Sequence, residues 1–414
     1  MDSVSENSLL LRGARIIAPD RAIEHGALLI ESGRIARVFE SSNDLPAADF
    51  VLDLAGLTLF PGFIDLHIHG ANGVDAMTAS ANDLRRVAEF LGRNGVTAWL
   101  PTLVPSPQEQ YLTAVRAIDE LMRKQTSDLA LSALNADETS ALPANHARIL
   151  GVHYEGPFVN SEQCGALHRE HFRTFSGKAD VDLLPTIKNE SAAVHMMTLA
   201  PEVEGGIALI KELRKRDWIV SIGHTRATVD VLDQAFEAGA RHMTHFMNAM
   251  TPLHHRAPGP VGWGLLHDEV TCDLIADGVH IDRLMLKLIL RGKTAERVSL
   301  ISDAIAAAGL GDGEYQVWGE KIVVKNGRTQ NSRGSIAGSV ITMLDAVRMI
   351  LSLGASEVEV ARMASLNPAR VLGIDHDCGS IEEGKRADLV ALDQEGNVCF
   401  TIIGGLLTST ALLQ

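Results

Sequence analysis

Eight short apolar segments, separated by longer amphipathic ones, constrain the fold of this chain more than any other feature. They lie at 63–69, 96–102, 149–155, 194–200, 218–224, 242–246, 270–276 and 298–303. Helices are predicted between them, for instance at 82–94, which Gly95 ends, and at 107–124, which Pro107 begins. Buried strands that alternate with helices indicate a parallel α/β sheet, and eight such units are the number in a TIM barrel. We therefore expect an α/β fold with a (β/α)₈ TIM-type barrel.

Both ends of the chain show a different pattern. Residues 9 to 60 and the residues after 380 consist of short alternating segments joined by turns, which predicts strands. A chain of 414 residues also exceeds what one core usually holds. We expect a small β-sandwich domain formed from 1–58 and 380–414, with the barrel domain at 59–379. A hairpin at 311–329 and helices at 339–353 and 356–365 are expected after the last barrel strand.

Charge and composition exclude several classes of function. A formal net charge of −15 opposes the phosphate contacts of a general nucleic-acid binder. The first 20 residues lack a signal-peptide pattern, and no apolar run reaches the ~18 residues of a membrane span. The four cysteines form no Cys-x-x-Cys pair, which favours a reduced compartment. We expect a cytoplasmic protein whose partners include neither nucleic acid nor a membrane.

The first predicted barrel strand carries two histidines. Alternation along a strand places Asp65, His67 and His69 on one face, and the apolar residues at 64, 66 and 68 on the other, against the helices. Two imidazoles two residues apart can hold one ion at the carboxyl end of a barrel strand, where barrel active sites lie. A pair of hydrogen-bonded core histidines is the alternative.

Three further predicted strand ends add possible ligands. Glu155, His224 and His245 stand at or near the carboxyl ends of their strands. A carboxylate inside a barrel mouth costs free energy unless a cation or hydrogen bonds compensate it. Each histidine alone could be structural, but five candidate ligands at four strand ends favour a metal site.

Asp303 ends the last predicted barrel strand after an apolar run. A carboxylate beside a metal-activated water can accept its proton and pass that proton to a leaving nitrogen. Capping of the following Ala-rich segment is the alternative role. Together with the five candidate ligands, the position favours an acid/base role.

These residues belong to a longer ordered series of motifs. The series comprises PGFIDLHIHG (61–70), GVHYEGPF (151–158), GHT (223–225), THFMNAM (244–250), HHRAPG (254–259), DGVH (277–280), SDA (302–304) and AGS (337–339). With this series, which covers nearly the whole chain, the sequence resembles the N-acetylglucosamine-6-phosphate deacetylases of the amidohydrolase superfamily. The resemblance implies a (β/α)₈ barrel with a flanking β-sandwich, a homodimer, a bound zinc or similar divalent ion, and hydrolysis of the acetamide of an amino-sugar phosphate.

The resemblance also implies a role for each matching residue. Principal metal ligands would be Glu155, His224 and His245, with His67 and His69 as a second pair that some members have lost; Asp303 would be the catalytic acid/base. Substrate contacts would be Ala166, Asn248, Ala249, Arg256, His280, Ala337 and Gly338, with Arg256 on the 6-phosphate. The number of ions, one or two, stays open. The metal could be zinc, iron, cobalt or manganese, since His and carboxylate ligands suit all four.

One position departs from the family. Where its members normally have Gly-Ala-His, this chain has Gly165-Ala166-Leu167, followed by His168. Leucine donates no hydrogen bond, so either His168 takes that place, or the metals alone polarise the carbonyl, or the substrate differs. Nearby Cys164 could be a ligand or a small loop residue, and we favour the second.

Three alternative functions follow. The substrate could be N-acetylgalactosamine-6-phosphate, or another N-acyl compound or cyclic amide, and the chain could also be a sugar-phosphate sensor without catalysis. Glu155 disfavours the cyclic-amide enzymes, many of which place a modified lysine at the bridging position. Asp303 disfavours a sensor, because a sensor needs no proton shuttle.

Overall fold

The computed structural model describes residues 8–134, 146–188 and 193–407, except for the side chains of 128–134. Its strands are β1 (Leu9–Ile17), β2 (Ala22–Glu31), β3 (Arg34–Phe39), β4 (Phe50–Asp53), β5 (Thr58–Pro61), β6 (Phe63–Ile68), β7 (Gly70–Ala71), β8 (Val74–Asp75), β9 (Val96–Leu103), β10 (Arg148–Ile149), β11 (Gly151–Glu155), β12 (Val194–Leu199), β13 (Ile219–Ile222), β14 (His242–Met243), β15 (Thr271–Ile275), β16 (Val298–Ile301), β17 (Gly313–Val317), β18 (Glu320–Lys325), β19 (Arg328–Asn331), β20 (Leu389–Leu392), β21 (Val398–Ile403) and β22 (Leu406–Leu407).

The helices connect the barrel strands and follow the last of them. They are α1 (Ala81–Arg93), α2 (Gln108–Leu134), α3 (Lys178–Asp182), α4 (Gly206–Lys215), α5 (Val229–Ala238), α6 (Gly259–Leu266), α7 (Arg283–Lys293), α8 (Met343–Ser352), α9 (Glu357–Ala361) and α10 (Asn367–Leu372). Within the described ranges, no helix has both the length and the apolar character that a membrane span requires.

The eight predicted barrel strands form one parallel sheet. β6 pairs with β9, and β9, β11, β12, β13, β14, β15 and β16 follow as successive neighbours. β16 lies beside β6, so the sheet nearly closes on itself. The prediction of a TIM-type barrel is confirmed, and the carboxyl ends of all eight strands meet at one rim.

Strand β6 departs from simple alternation. Its pairing with β9 shifts register between Phe63 and Ile64 and again between Asp65 and Ile68. Phe63 and Ile68 belong to the cluster formed with α1 and α2, whereas Ile64 and Leu66 pack in a separate cluster with strand residues of β9, β12, β15 and β16 and with α10. The prediction that Ile64 and Leu66 face the surrounding helices is therefore wrong, because an irregular strand does not keep a period of two.

A second sheet joins the two ends of the chain. Its strand order is β22-β21-β20-β5-β1-β2-β3, and β4 also pairs with β1. A core of its own, which includes Leu11, Ile16, Leu28, Leu389 and Phe400, fills this part of the molecule. The expected small β domain built from both termini is present; the limits 1–58 and 380–414 stay a prediction.

Helix ends follow capping chemistry. α1 begins after Ser80, whose hydroxyl accepts from Asp83 N while the Asp83 carboxylate accepts from Ser80 N. The predicted helix 339–353 starts only at Met343, because Thr342 forms the same capping box with Asp345. α2 continues ten residues beyond its predicted end at 124, through a segment without Gly or Pro. The segment predicted as helix 356–365 is α9 followed by a π-helical turn at Arg362–Leu366.

Candidate active site

Two groups of buried side chains meet at the carboxyl rim of the barrel and share one glutamate. In the first, Glu155 Oε1 lies 2.9 Å from His224 Nε2 and 3.0 Å from His245 Nε2, and the two nitrogens are 3.0 Å apart. In the second, His69 Nε2 lies 3.3 Å from Glu155 Oε2 and 3.2 Å from His67 Nε2. The structure thus brings all five predicted metal ligands together.

Three of the four imidazoles are oriented through their other nitrogen. Nδ1 of His224 is 2.7 Å from the Gln163 carbonyl oxygen, and Nδ1 of His69 is 3.1 Å from the Thr102 carbonyl oxygen. A carbonyl oxygen only accepts, so these Nδ1 atoms carry a proton, and Nε2 is the atom that each ring would offer to a cation. His67 Nδ1 lies 3.0 Å from the Thr244 hydroxyl.

The donor set fits a divalent cation. Each group offers two imidazole nitrogens and a carboxylate oxygen, all buried and all within 4.8 Å of one another. A tetrahedral zinc ion with bonds of ~2.0–2.1 Å separates its ligand atoms by about 3.3 Å. Nitrogens that both present lone pairs at 3.0 Å repel each other unless a cation lies between them. Cys164 belongs to neither group among the described residues, which agrees with its prediction as a loop residue.

The carboxylates of the site are held in their charged form. Burial raises the pKa of Glu155, but the charge of His67 and the hydrogen bonds with His224 and His245 outweigh burial and hold this pKa well below its ordinary value. For His69, burial lowers the pKa, yet hydrogen bonds with Asp303 and Glu155 raise it to about 10. In the absence of a cation, the two carboxylates are thus compensated by protonated imidazole, and a bound divalent cation would take the place of those protons.

Asp303 lies against the second group. Its Oδ1 is 3.2 Å from His69 Nε2 and 3.5 Å from His67 Nε2. Burial raises the pKa of Asp303, but the charge of His67 and the hydrogen bond from His69 together lower it. Asp303 does not cap a helix, because the residues that follow it up to 310 contain turns and no helix. Its backbone N–H donates to the His67 carbonyl oxygen. The carboxylate thus stands within reach of a molecule bound between the two groups.

Several site residues have left-handed backbone conformations. φ is +47° at His224, +30° at His245, +49° at Asp303 and +49° at Ala249. Residues other than glycine rarely adopt this backbone conformation, and such strained positions concentrate at functional sites. The turn at each strand end aims its side chain into the barrel mouth.

Two acidic residues that the sequence did not single out support the site. Asp273 of β15 accepts from the backbone N–H of His245 through Oδ1, and its Oδ2 lies 2.9 Å from His242 Nε2. Glu202 accepts from the Thr225 hydroxyl at 2.6 Å and from Asn160 Nδ2 at 2.8 Å, which joins three loops at the rim. The sequence did contain one indication of Asp273, namely a carboxylate within an otherwise apolar strand.

The predicted substrate residues follow the strands at the same rim. Asn248 donates from Nδ2 to the His245 carbonyl oxygen at 3.2 Å, and Ala249 accepts from Thr225 N. His280 Nδ1 is 2.7 Å from Asp277 Oδ2, just beyond β15. Asp277 and His280 therefore form a fixed pair: although burial raises the pKa of Asp277, its hydrogen bond with His280 holds this pKa below its ordinary value.

Arg256 is exposed on the loop between β14 and α6. Its Nη1 lies 3.0 Å from His255 Nε2, and no carboxylate pairs with it in the described part of the chain. Ala337 is buried and donates its N–H to the Thr329 hydroxyl, and Gly338 has a φ of +54°. A side chain at 338 would strike the Asp303 carbonyl oxygen at 2.8 Å, so this close approach requires glycine.

The loop that departs from the expected motif is tied to the hairpin β17–β19. Leu167 is buried at 2% exposure in the main core, while His168 Nε2 lies 3.2 Å from Glu320 Oε1. Arg333 donates to the Ala166 carbonyl oxygen at 2.7 Å. The same hairpin places Trp318 edge-on to His69, with 4.9 Å between the ring centroids. Leu167 thus has a packing role, and His168 is engaged by Glu320.

Comparison with known proteins decides the family. The amidohydrolase family profile matches residues 58–408. The chain belongs to the amidohydrolase family. This amidohydrolase is 35% identical over 400 residues to N-acetylglucosamine-6-phosphate deacetylase of Bacillus subtilis, with 96% of each chain covered. It is 34% identical over 401 residues to N-acetylgalactosamine-6-phosphate deacetylase of Escherichia coli O157:H7, covering 97% of this chain and 99% of the relative.

Solved structures agree with the fold of this amidohydrolase. The crystal structure of N-acetylglucosamine-6-phosphate deacetylase from Pasteurella multocida superposes with a TM-score of 0.85 at 30% identity, covering 97% of this chain and all of the other. The family likeness therefore extends over the terminal β domain as well as the barrel.

Proposed function

We propose that this amidohydrolase hydrolyses the acetamide of N-acetylglucosamine-6-phosphate to glucosamine-6-phosphate and acetate. The single observation that carries the proposal is the shared Glu155 between two His pairs, with Asp303 within 3.2 Å of His69. Relatives of similar length, named for this reaction, support the choice of substrate.

A divalent cation held by Glu155, His224 and His245 would supply Lewis-acid polarisation of the amide carbonyl and a water of lowered pKa. We propose zinc, because imidazole and carboxylate ligands suit it, and His67 with His69 would complete a second site. The number of ions per chain is a question for metal analysis.

Asp303 is the proposed proton carrier. Its lowered pKa keeps it ionised at neutral pH, so it can accept a proton from the attacking water. The same carboxyl group then donates that proton to the nitrogen as the C–N bond breaks, which releases a neutral amine and acetic acid. The acetic acid then ionises to acetate, and its proton passes to the amine or to water.

Arg256 is the proposed 6-phosphate ligand, with Asn248, Ala249 and His280 on the sugar and Ala166, Ala337 and Gly338 lining the site. A planar guanidinium without a carboxylate partner suits bidentate contact with a phosphate. The exposed loop of Arg256 lies at the rim where the substrate enters. A homodimer and a cytoplasmic location are also proposed; four free cysteines support the second.

N-acetylgalactosamine-6-phosphate is the second candidate substrate. The relative named for it matches this chain at 34% identity over nearly its full length. Leu167 is buried and its side chain forms no hydrogen bond, so it does not distinguish one sugar or acyl group from another.

The deciding experiment measures acetate release by the purified, metal-analysed protein. N-acetylglucosamine-6-phosphate, N-acetylgalactosamine-6-phosphate and unphosphorylated N-acetylglucosamine are assayed in parallel. A kcat/KM of at least ~10⁴ M⁻¹s⁻¹ on the first substrate, above that on the second, supports the proposal. Inactivity on all three with metal bound would refute it and direct the search to other N-acyl compounds.

A further inference from the structure

A cavity of about 360 Å³ lies at the amino ends of the barrel strands, opposite the metal ligands. Its lining residues lie at or just before the first residues of β13, β14, β15 and β16 and on the helices α4 and α10, whereas the site residues follow these strands. The charged side chains that line it are Arg214, Arg241, Arg297, Arg370, Glu269 and Glu296.

The charge of this cavity, which we call the basal cavity, is positive. Its lining has four arginines against two glutamates; outside the lining, Arg362 pairs with Glu296 at 2.5 Å and Asp375 pairs with Arg370 at 3.9 Å, so Arg214, Arg241 and Arg297 face only Glu269 as a further lining carboxylate. Within the described ranges, Arg214, Arg241 and Arg297 form no ion pair with a carboxylate. Three exposed guanidinium groups without a carboxylate partner give this cavity a positive local potential in a chain of net charge −15, and such a potential attracts an anion.

Two of these arginines are held in place by neutral groups. Arg214 Nη1 donates to the Trp218 carbonyl oxygen at 2.7 Å, and its side chain crosses Gly239, where a Cβ would come within 2.9 Å of it. Arg241 donates to the Ala240 carbonyl oxygen at 3.0 Å and stacks over the Phe236 ring at 3.7 Å. Each guanidinium has five N–H donors, so donors remain for a ligand while the entropy cost of ordering the side chain has been met.

We propose that the basal cavity binds a small phosphate-bearing molecule, with the phosphoryl group between Arg214, Arg241 and Arg297. The volume falls within the ~300–1,000 Å³ of small-molecule sites. The guanidinium forks of Arg214 and Arg241, which are anchored by neutral groups, match phosphate oxygens, and Arg297 adds a third positive charge. The site is separate from the proposed substrate site, so it stands independently of the proposed function.

Tungstate, a heavy phosphate analogue, locates the anion by its anomalous signal in crystals of the metal-loaded protein. The proposal is supported if the wild type shows anomalous signal among the three arginines. This signal should be retained in Arg256→Ala and lost in Arg241→Gln/Arg297→Gln. Signal only at the carboxyl rim, or none, overturns it. Because position is observed directly, a failure here is distinguishable from a failure of the proposed deacetylase activity.

Titration with inorganic phosphate measures the affinity in solution. In the Arg256→Ala background, we expect a dissociation constant below about 1 mM. Arg241→Gln/Arg297→Gln should weaken it at least tenfold, and Arg86→Gln, a matched exposed arginine on α1, should leave it unchanged. If the double variant does not fold, Arg297→Gln alone should still weaken binding. Unchanged affinity in either arginine variant overturns the proposal.

Discussion

Nε2 of His224 lies 3.0 Å from Nε2 of His245, and both nitrogens are within 3.0 Å of the same oxygen of Glu155. His224 carries its proton on Nδ1, which contacts the Gln163 carbonyl. Its Nε2 is therefore the atom available to a cation, and the arrangement of the three ligand atoms suits an ion between them. The other oxygen of Glu155 faces His69, so one carboxylate serves two His pairs.

Metal content should respond differently to the shared and the unshared ligands. Glu155→Gln weakens both groups, so we expect metal affinity to fall by more than roughly 100-fold. His69→Ala removes a ligand from one group only and should leave the ion at His224 and His245 in place. Mass-spectrometric metal analysis after dialysis measures both variants. Full occupancy in Glu155→Gln would contradict the shared-ligand arrangement.

Asp303→Asn should lower kcat about 10²–10⁴-fold, because the amide cannot carry the proton from water to the leaving nitrogen. Metal content should stay at the wild-type level, since the proposed ligands are intact. Acetate release and metal analysis are measured on the same sample, with exposed Asp20→Asn as the control. Turnover near the wild-type rate would remove Asp303 from the mechanism.

Arg256→Ala should raise KM for the phosphorylated sugar about 10- to 100-fold, the effect of losing charged hydrogen bonds to a phosphate. The unphosphorylated sugar should show little change, because it lacks the group that Arg256 binds. Arg86→Ala, at an exposed arginine paired with Asp83 on α1, is the matched control. An equal rise in KM for both sugars would exclude the phosphate role.

A buried ion pair joins the barrel to the terminal β domain. Arg148 Nη2 lies 2.9 Å from Asp388 Oδ2, whose side chain is 3% exposed, and Asp388 also accepts from Gly404 N at 2.7 Å. Asp388→Asn should destabilise the protein by about 3 kcal/mol, because it leaves the Arg148 charge without its partner. Denaturant unfolding at pH 7 measures this, and Asp53→Asn, in an exposed pair, should change stability by less than about 0.5 kcal/mol.

The Asp388 effect should depend on pH in a defined direction. Burial raises the pKa of Asp388, but the charges of Arg148 and Arg386 outweigh burial and lower it. A depressed folded-state pKa stabilises the fold above the unfolded value of about 4, and this stabilisation is lost as pH falls through the folded value. The difference between wild type and Asp388→Asn should thus be full at pH 6 and shrink below about pH 4. A difference that grows with acid would show that this carboxylate is not the group that titrates.

The sequence by itself determined the eight barrel strands and the ligands at their ends. Apolar runs and their spacing are local properties, and parallel strands must bring their carboxyl ends to one rim. His67, Glu155, His224, His245 and Asp303 could therefore be assigned to one site without coordinates.

Only the tertiary structure decided how these residues meet. The register shift in β6 moved Ile64 and Leu66 to another cluster, and Asp273 came to support His245 across a strand pair. Leu167 became a core residue while His168 turned to Glu320. Sharing of Glu155 and the grouping of arginines in the basal cavity depend on contacts between residues far apart in sequence. Such contacts are set by barrel closure and loop packing, which no local pattern records.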